Sequence, residues 1–450
     1  MKTWLLDPLL ALLATAALAV SDPRPRRKFV DLGVGLLCGP TPKTLTSALE
    51  WLDQSQEDWS ADYRLFSQTQ WDPQALFRPV FTQALAHPGC GSQRVYLGQD
   101  DTLLRKTGRK IPGTTYARDP LSPPFQVNLV LGQRFVQTSL LLQPAGAAHP
   151  WRALPVCFDH APTPKIPKGA DPQAQAAVKE FRKKHRLSLV ALEQLRFCRQ
   201  QLDGPSDGAQ RQLMDVVDGS YANRTFFRGL PERTDVVARV RKDAKFRAYL
   251  PPNQRQGARK YGPALPTPQA WLSDPQRAWQ TASAFVAGQV RTVQFKEVPW
   301  LCWPKVAGDR PLRLILIKAA GYRLRKGCKL LYRDPAFLIT TDLTTPAAEL
   351  IAAYLARWEV EVNFRDEKTL LGVGQAQVRN PQSVGRAPAF LVAAYAMLLW
   401  CSIRVFGDRR TEAFAALPAW RKQEPARPST RDLVRLLQQE AKNYTTPAMN

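Results

Sequence analysis

The feature that most constrains this chain is a run of polar and aromatic residues near its C-terminal third. At about 100° per residue, four members of the run fall on one helical stripe roughly 60° wide: Tyr354, Arg357, Glu361 and Lys368. An aromatic hydroxyl, two cations and a carboxylate make a poor core face. The alternating charge leaves open a solvated helix with intrahelical pairs, but Trp358, Val362 and Phe364 make it too apolar for solvent alone. We predict one long helix over residues 346–371, packed on a core with its polar stripe bordering a cleft.

Short β-rich runs precede this helix, and two of them end in carboxylates. One run ends at Asp100 and Asp101, and another ends at Asp218. Because successive strand residues face opposite sides, only one of Asp100 and Asp101 can reach a given site. The choice between them stays open, as does a turn or capping role for the pair. Asp215 lies inside the second apolar run and is a weaker candidate than Asp218.

The order of the runs defines a fold class. Strands are predicted over 94–99, 125–131, 134–142, 213–217 and 235–240, with a hairpin turn at Gly132-Gln133, a loop or insertion over 149–171 and a helix over 174–202. Three strands, a helix, a strand, a short helix and a strand form the order of a ribonuclease-H-like core. We therefore expect an α/β fold with a ribonuclease-H-like catalytic core. A helical piece over 270–287 and strands over 291–296, 311–318 and 336–341 predict a mainly β insertion before the long helix.

These segments predict five parts of the chain: a helical N-terminal module over 1–90, the first part of the core over 91–250, the insertion over 251–343, the second part of the core over 344–410 and a C-terminal tail over 411–450. In the first module, Thr44 is typical of a helix start and Ser60 of a second cap. Two such helices suit a DNA-binding helix-turn-helix and an ordinary packing module equally well.

Two apolar runs need an interpretation other than a membrane span. The first twenty residues resemble a short secretory signal, but Asp7-Pro8 interrupts the apolar run and only Lys2 precedes it with a positive charge. We favour a buried first helix. The run from Phe390 to Cys401 is too short to span a bilayer and continues into Arg404, so we predict a core helix.

The charge of the chain points to a polyanionic partner. There are 63 Lys and Arg residues against 38 Asp and Glu residues, a formal net charge of +25. Each neutralised phosphate would release counterions. One basic cluster follows Asp218: Arg224, Arg228, Arg233, Arg239, Arg241, Lys242, Lys245 and Arg247. Arg239 and Arg241 alternate with Val240 on a predicted strand, which favours phosphate contact over a solvated face. The seven scattered cysteines, with four scattered histidines, make a structural zinc site improbable.

The spacing Tyr-x2-Arg-x3-Glu-x6-Lys, formed by Tyr354, Arg357, Glu361 and Lys368, is similar to the YREK signature of the insertion-sequence-four family of bacterial DDE transposases. The resemblance covers residues 93–406. It implies three catalytic carboxylates, and these would be Asp100 in an Asp-x-Thr context, Asp218 and Glu361. They would hold Mg²⁺, or Mn²⁺, because hard cations take oxygen ligands.

The resemblance also implies how DNA would be held. Tyr354, Arg357 and Lys368 would contact phosphates near the cut. An aromatic residue of the insertion would hold a base flipped from the duplex, and Trp300 and Trp303 are candidates, although isolated tryptophans are more often core residues.

The expected function is transposition by two-metal phosphodiester chemistry. Water would first cut a transposon strand, and the freed 3′-hydroxyl would then attack the other strand or the target. The implied partners are double-stranded DNA, as terminal inverted repeats and target, and a second copy of the chain; no membrane is implied, and the location would be cytoplasmic and nucleoid-associated. A ribonuclease-H-like nuclease that cuts without joining and a catalytically silent DNA-binding protein are the alternatives.

Overall fold

The structure is a computed structural model, and it describes residues 3–119, 122–123, 125–146, 149–164, 166–204, 210–255, 257, 260–286, 289–322, 327–332, 334–421 and 424–443. The helices among them are α1 (Leu6–Ala17), α2 (Arg26–Cys38), α3 (Leu45–Trp51), α4 (Ser60–Ser67), α5 (Arg78–Leu85), α6 (Pro172–Lys184), α7 (Leu187–Asp203), α8 (Arg224–Arg228), α9 (Pro268–Ser273), α10 (Ala347–Ala356), α11 (Trp358–Thr369), α12 (Ser383–Phe406) and α13 (Thr430–Glu440). The strands are β1 (Arg94–Arg105), β2 (Thr115–Arg118), β3 (Leu129–Leu142), β4 (Arg152–His160), β5 (Gln212–Val217), β6 (Thr234–Arg239), β7 (Arg247–Ala248), β8 (Gln280–Val286), β9 (Gln289–Cys302), β10 (Leu312–Ile317), β11 (Gly321–Tyr322), β12 (Leu331–Tyr332) and β13 (Ala336–Thr340).

The chain forms two compact units. The first comprises Met1–Gly91, Asp101–Gln194 and Val360–Asn450, and the second comprises Ser92–Asp100 and Leu195–Glu359. Three elements, β1, α7 and α11, therefore contribute residues to both units. The domain boundaries anticipated at 90, 250, 343 and 410 remain predictions.

The second unit is built on a mixed sheet with the strand order β1-β5-β6-β13-β10-β9-β7, and β8 pairs with β9. The first three strands are parallel to one another, and the strands from β13 onward are antiparallel. Strand β5 is buried from Leu213 to Val217, and all six residues of β10 are buried. Near-continuous apolar runs of this kind form where both faces of a sheet are covered. This arrangement places the ends of three parallel strands side by side.

The first unit combines the antiparallel strands β2, β3 and β4 with most of the helices. Its central helix is α12, whose Phe390 ring packs edge-on against Phe29 of α2 and Phe66 of α4 at centroid distances of 4.7 and 5.3 Å. Within the described part of the chain, α12 alone is long and apolar enough to cross a membrane, and 89% of its most apolar window is buried inside the structure. The predicted core helix at Phe390–Cys401 is thus confirmed.

The N-terminal helices agree with the sequence in most respects. Helix α1 buries Leu9, Leu12 and Leu13, as expected for a packed first helix. Thr44 caps α3 with a capping box shared with Ser47. The expected cap at Ser60 is wrong, because Ser60 is the first helical residue and its backbone N–H donates to the Asp58 carboxylate.

The hairpin predicted at Gly132-Gln133 is wrong, because both residues lie inside the continuous strand β3. A Cβ at Gly132 would stand 2.7 Å from the Leu104 carbonyl oxygen of β1. Glycine is therefore required here because the backbones of β1 and β3 approach closely, and not because the chain turns. The Gln133 side chain is buried and donates to the Pro112 carbonyl.

The loop predicted over 149–171 is also wrong in part, since β4 occupies its centre; residue 165 lies outside the described residues. Pro155 lies within this strand. Strand β4 pairs with β3 alone among the described strands, and the pairing shifts register where Pro155 meets Ser139. Proline is tolerated at edges and bulges because the lost N–H has no ladder partner there. Four described strands, β1 to β4, therefore precede α6 and α7, one more than the three predicted.

Three helix predictions also need correction. The single helix expected over 174–202 is divided at residues 185–186 into α6 and α7. The helix expected over 270–287 is α9 followed by β8, in which Ala282 and Ala284 are buried and their neighbours exposed, the period of a strand; residue 287 is not described. The long helix over 346–371 is divided at Arg357 into α10 and α11. Its end near Gly372 is confirmed, where the backbone is left-handed (φ +63°).

Candidate active site

Two of the predicted carboxylates lie at equivalent positions on adjacent parallel strands. Strands β1 and β5 pair in register up to Gln99 and Val217, so Asp100 and Asp218 are the next residue on each strand. The backbone at Asp218 remains extended (φ −76°, ψ 171°) before a short 3-10 turn. Residues at matching positions of parallel strands project from the same face. The fold therefore brings these two carboxylates to the same edge and face of the sheet.

The neighbouring aspartates face the other way. Asp101 alternates with Asp100 along β1 and forms an ion pair with Arg134, with 3.3 Å between Nε and Oδ2. Asp215 lies three residues before Asp218, so its side chain projects from the opposite face of the sheet. It is fully buried in β5. Burial raises the pKa of Asp215 well above its ordinary value, which favours a neutral acid.

Arg357 lies against Asp100, although 257 positions separate them in the chain. Its Nη1 donates to Asp100 Oδ2 at 2.5 Å, and the guanidinium and carboxyl side chains are only 10% and 17% exposed. Arg357 follows the last residue of α10 with a helical backbone (φ −53°, ψ −29°). A partly buried charge-assisted hydrogen bond of this kind orients both partners.

A second contact explains why α10 delivers Arg357 to this place. The Tyr96 hydroxyl donates to the Glu349 carboxylate of α10. Tyr96 is four residues before Asp100 on β1, so both side chains project from the same face. Burial, together with the Glu349 carboxylate, raises the pKa of Tyr96 well above its usual range. Helix α10 is thus tied at its beginning and at its end to the face that carries Asp100.

Arg239 and Arg241 extend the site along the next strand. Val217 pairs with Ala238 of β6, so Arg239 stands beside the level of Asp218. Arg239 and Arg241 are exposed and Val240 is buried, as the alternation predicted. Both arginines line a cavity of about 670 Å³ together with Lys242 and Trp303. The Asp243 and Asp334 carboxylates share the lining, and Arg241 pairs with Asp243 at 3.0 Å, so the cavity carries charges of both signs.

Other members of the basic cluster make contacts within the protein. Arg233 pairs with Asp203 at 2.9 Å. Arg228 donates to the Val306 and Pro304 carbonyls, and Arg247 donates to the Gly262 carbonyl. These three arginines stabilise the second unit, so the sequence cluster combines structural and solvent-facing cations.

The two tryptophans of the predicted insertion differ. Trp303 is half-buried, with Phe246 and Phe227 edge-on at 5.4 and 6.3 Å. Trp300 is 56% exposed and has a left-handed backbone (φ +59°) at an irregular part of the β9–β10 pairing. A bulky residue in that conformation is strained, and such outliers concentrate at functional sites.

Glu361 and Lys368 lie on α11, in the part of the helix that belongs to the first unit. The two are seven residues apart, or about two turns, so they share one helical face. Glu361 is half-buried, and Lys368 is exposed with its ammonium 5.8 Å from the centre of the Phe364 ring. Tyr354, on α10 in the second unit, is half-buried.

The inner face of α11 is polar, which sequence reasoning missed. Asn363 Nδ2 donates to the Ala153 carbonyl of β4 at 3.0 Å. Asp366 Oδ2 accepts a 2.7 Å hydrogen bond from the Thr430 hydroxyl of α13. Glu367 is buried, and its burial raises its pKa to about 8 despite a hydrogen bond with Gln137. Polar residues three and four apart, opposite Glu361, were the signal in the sequence.

Two buried lysines hold the turn that follows α11. Lys106 Nζ donates to the Gly374 and Ala376 carbonyls at 2.6 and 2.8 Å. Lys43 donates from its backbone N–H to the Gln375 side chain, and from its ammonium to the Leu37 and Gly39 carbonyls. Burial lowers the pKa of each lysine to about 8. These contacts keep the end of α11 in one conformation.

The donor atoms of Asp100 and Asp218 fit a hard divalent cation, because both are carboxylates and both directly follow the paired stretch of β1 and β5. The strand predicted over 94–99 continues to Arg105, so Asp100 lies within β1 and not at its end. Within the ranges described above, no group of three or more His, Cys, Asp or Glu side chains is placed to hold a metal ion. The pair therefore forms the candidate metal-binding core, with Arg357 as the neighbouring cation.

A ribonuclease-H-like order of elements, with two carboxylates at matching positions of adjacent parallel strands, is typical of one class, the DDE-type nucleases. A family model described as DDE superfamily endonuclease matches residues 20–300, well over half of the chain. The chain therefore belongs to the DDE superfamily endonucleases, which use divalent metal ions and act on DNA. The match contains Asp100, Asp218 and Arg239 and ends before α10. A search of curated proteins finds no match.

Proposed function

We propose that this protein is a DNA transposase that cleaves and joins transposon-end DNA. The observation that carries the proposal is the matched position of Asp100 and Asp218, each directly after the last residue by which the parallel strands β1 and β5 pair, within a DDE superfamily endonuclease. The insertion-sequence-four type is supported by the spacing of Tyr354, Arg357, Glu361 and Lys368.

In this proposal Asp100, Asp218 and Glu361 hold Mg²⁺ or Mn²⁺. Asp100 is preferred over Asp101 because it shares a face with Asp218, whereas Asp101 is paired with Arg134. When bound, a pair of metal ions activates the attacking oxygen and stabilises the leaving oxygen of the phosphodiester. Glu361 is assigned to the set by the spacing that it shares with Tyr354, Arg357 and Lys368.

The cationic residues bind and orient the DNA strand. Arg357 presents a planar guanidinium next to Asp100, a geometry suited to two phosphate oxygens at once. Tyr354 and Lys368 hold phosphates near the cut, and Arg239 and Arg241 hold them along the β6 edge.

An aromatic side chain takes up a base displaced from the duplex. Trp300 is the better candidate because over half of its side chain is exposed and its backbone is strained. Trp303 is the alternative because it lines the cavity with Arg239 and Arg241. Stacking on an indole would offset part of the cost of unstacking the base.

The partners in this proposal are the terminal inverted repeats, target DNA and a second copy of the chain. Two transposon ends must be held together, and a homodimer supplies one site for each end. The enzyme would act in the cytoplasm, at the nucleoid.

The test uses the purified chain, Mg²⁺ and duplexes that carry the inverted repeats flanking the gene. We expect strand cleavage at the repeat boundary, followed by joined products on denaturing gels. Cleavage without joined products would support an endonuclease and contradict the transposase proposal. Absence of any cleavage would contradict both the endonuclease and the transposase function.

Glu361→Gln and Glu359→Gln form a matched pair for the third carboxylate. Glu359 lies two residues away, on the opposite side of α11. We expect Glu361→Gln to abolish cleavage while DNA binding persists, and Glu359→Gln to cleave normally. Normal cleavage by Glu361→Gln would exclude Glu361 from the site.

A further inference from the structure

Helix α6 carries a dense group of cations and buries none of its thirteen residues. Residues 179–186 read Lys-Glu-Phe-Arg-Lys-Lys-His-Arg, with five cations and one anion. Helices of this length are only marginally stable in water without packing. The core therefore neither requires α6 nor covers its charges.

Local contacts hold α6 instead. The Asp171 carboxylate caps its start by accepting from the Ala174 N–H at 2.6 Å, and Pro172 occupies the first turn. Near its end, Arg182 Nε donates to the Pro164 carbonyl at 2.6 Å. The His185 ring stacks on Phe181 with 4.0 Å between ring centres. These contacts preserve the helix while its other cations extend into solvent.

The charges on α6 repel one another. Lys179 and Lys183 are four residues apart, a spacing at which like charges destabilise a helix. Glu180 lies 3.8 Å from Lys183 and 4.0 Å from Lys184, but all three side chains are more than half exposed, so these pairs contribute little. The helix dipole favours cations at this end, but it amounts to only about half a charge. An external anion would compensate the remainder.

We propose that the α6 cationic group, formed by Lys179, Lys183 and Lys184 of α6 and by Arg186 just after it, binds the phosphate backbone of duplex DNA. This inference rests on the proposed function and adds a second DNA-binding surface to it. Neutralised phosphates release counterions, and phosphate contacts position DNA without reading its sequence. A membrane surface fits less well, because a membrane-bound helix needs an apolar face and α6 has only Phe181 as an exposed large apolar residue.

The experiment compares two triple variants of the full chain. Lys179→Gln/Lys183→Gln/Lys184→Gln removes three charges from α6, and glutamine keeps helix propensity. The control, Arg431→Gln/Arg435→Gln/Lys442→Gln, removes three exposed charges at α13 and the turn after it. Binding to a fluorescent duplex without inverted repeats is titrated at several salt concentrations in the presence of Ca²⁺. Circular dichroism confirms that both variants are folded.

We expect the α6 variant to bind about ten- to a hundred-fold more weakly at low salt, with a slope of log affinity against log salt smaller by roughly two to three. Its cleavage rate at saturating repeat DNA should match the wild type. An unchanged slope, or an equal loss in the control, would overturn the inference. So would loss of binding to anionic vesicles with DNA affinity retained.

The two proposals fail separately. A wild-type chain that neither binds nor cleaves DNA contradicts the proposed function. A wild-type chain that cleaves repeat DNA, beside an α6 variant with wild-type affinity, contradicts only the role of α6.

Discussion

The β1–β5 edge and helix α11 position their carboxylates by different physical means. Asp100 and Asp218 follow the last paired residues of two parallel strands, so backbone hydrogen bonds set their level and face. Glu361 is on a helix whose opposite face is anchored by side chains, among them Asn363 and Asp366. Backbone pairing tolerates most side-chain changes, whereas a buried polar network depends on each of its members.

This contrast predicts where the molecule is sensitive. Replacing a residue near Asp100 or Asp218 should matter only when it is a ligand or contacts one. Changes beneath α11 should act at a distance through the orientation of the helix, and they should also reduce stability. The predictions below separate these two behaviours.

The largest effect is expected at the strand edge. Asp100→Asn should reduce cleavage by about a thousand-fold or more, since it removes a proposed metal ligand. Asp101→Asn, its matched control, should retain most activity because Asp101 projects from the opposite face. Cleavage rates of the two variants with Mg²⁺ test this, and a larger loss in Asp101→Asn would reverse the assignment.

The second-largest loss of cleavage activity is expected at Arg357. Arg357→Ala removes the cation that faces Asp100, and we expect cleavage to fall by about ten- to a hundred-fold. Arg357→Lys should recover only part of the loss, because an ammonium lacks the planar fork. Rates at saturating DNA are compared with those of Arg435→Ala, an exposed arginine on α13. Full recovery by lysine would contradict a requirement for guanidinium geometry.

Glu367 should make stability depend on pH. Its pKa is raised to about 8 in the folded state against an ordinary 4.5. Between these values the folded chain binds more protons than the unfolded chain, so its stability falls as the pH rises. Glu367→Gln removes this contribution, and each pKa unit corresponds to about 1.4 kcal/mol.

Urea unfolding at pH 5 and pH 8 measures the difference. The wild type should lose a few kcal/mol more than Glu367→Gln over this interval. Glu359→Gln should follow the wild type. Parallel pH profiles for wild type and Glu367→Gln would show that the Glu367 pKa is ordinary.

The smallest effect is expected at the end of the polar network. Thr430→Val keeps the shape of the side chain but leaves the buried Asp366 oxygen without its donor, which should cost about 1–3 kcal/mol. Thr430→Ser keeps the hydroxyl and should cost less. Unfolding free energies and cleavage rates are measured together. If Thr430→Val is destabilised but cleaves at the wild-type rate, the polar network contributes to stability and does not determine the position of Glu361.

Much of the site could be read along single elements. The strand end before Asp218, the alternation of Arg239 and Arg241, and the shared face of Glu361 and Lys368 depend only on local patterns of one strand or helix. A sequence carries such local patterns directly. The strand end predicted at Asp100 was wrong, because β1 continues to Arg105.

Other elements were missed because their local signal conflicts with their surroundings. Gly132 is a turn residue by composition but lies in β3, where it allows β1 to approach. Pro155 argues against a strand, yet β4 accommodates it at an edge and a register shift. Short strands such as β2 and β7 are stabilised by their partners, and their own sequences carry little signal.

By itself the sequence determined which side chains share a face of a strand or of a helix, since backbone geometry within an element sets those positions. Only the tertiary structure decided that Arg357 faces Asp100, that Tyr96 ties α10 to the same face, and that Thr430 supports α11. The residues of each pair are between 64 and 257 positions apart. Contacts across such separations depend on how whole elements pack, and no local period encodes them.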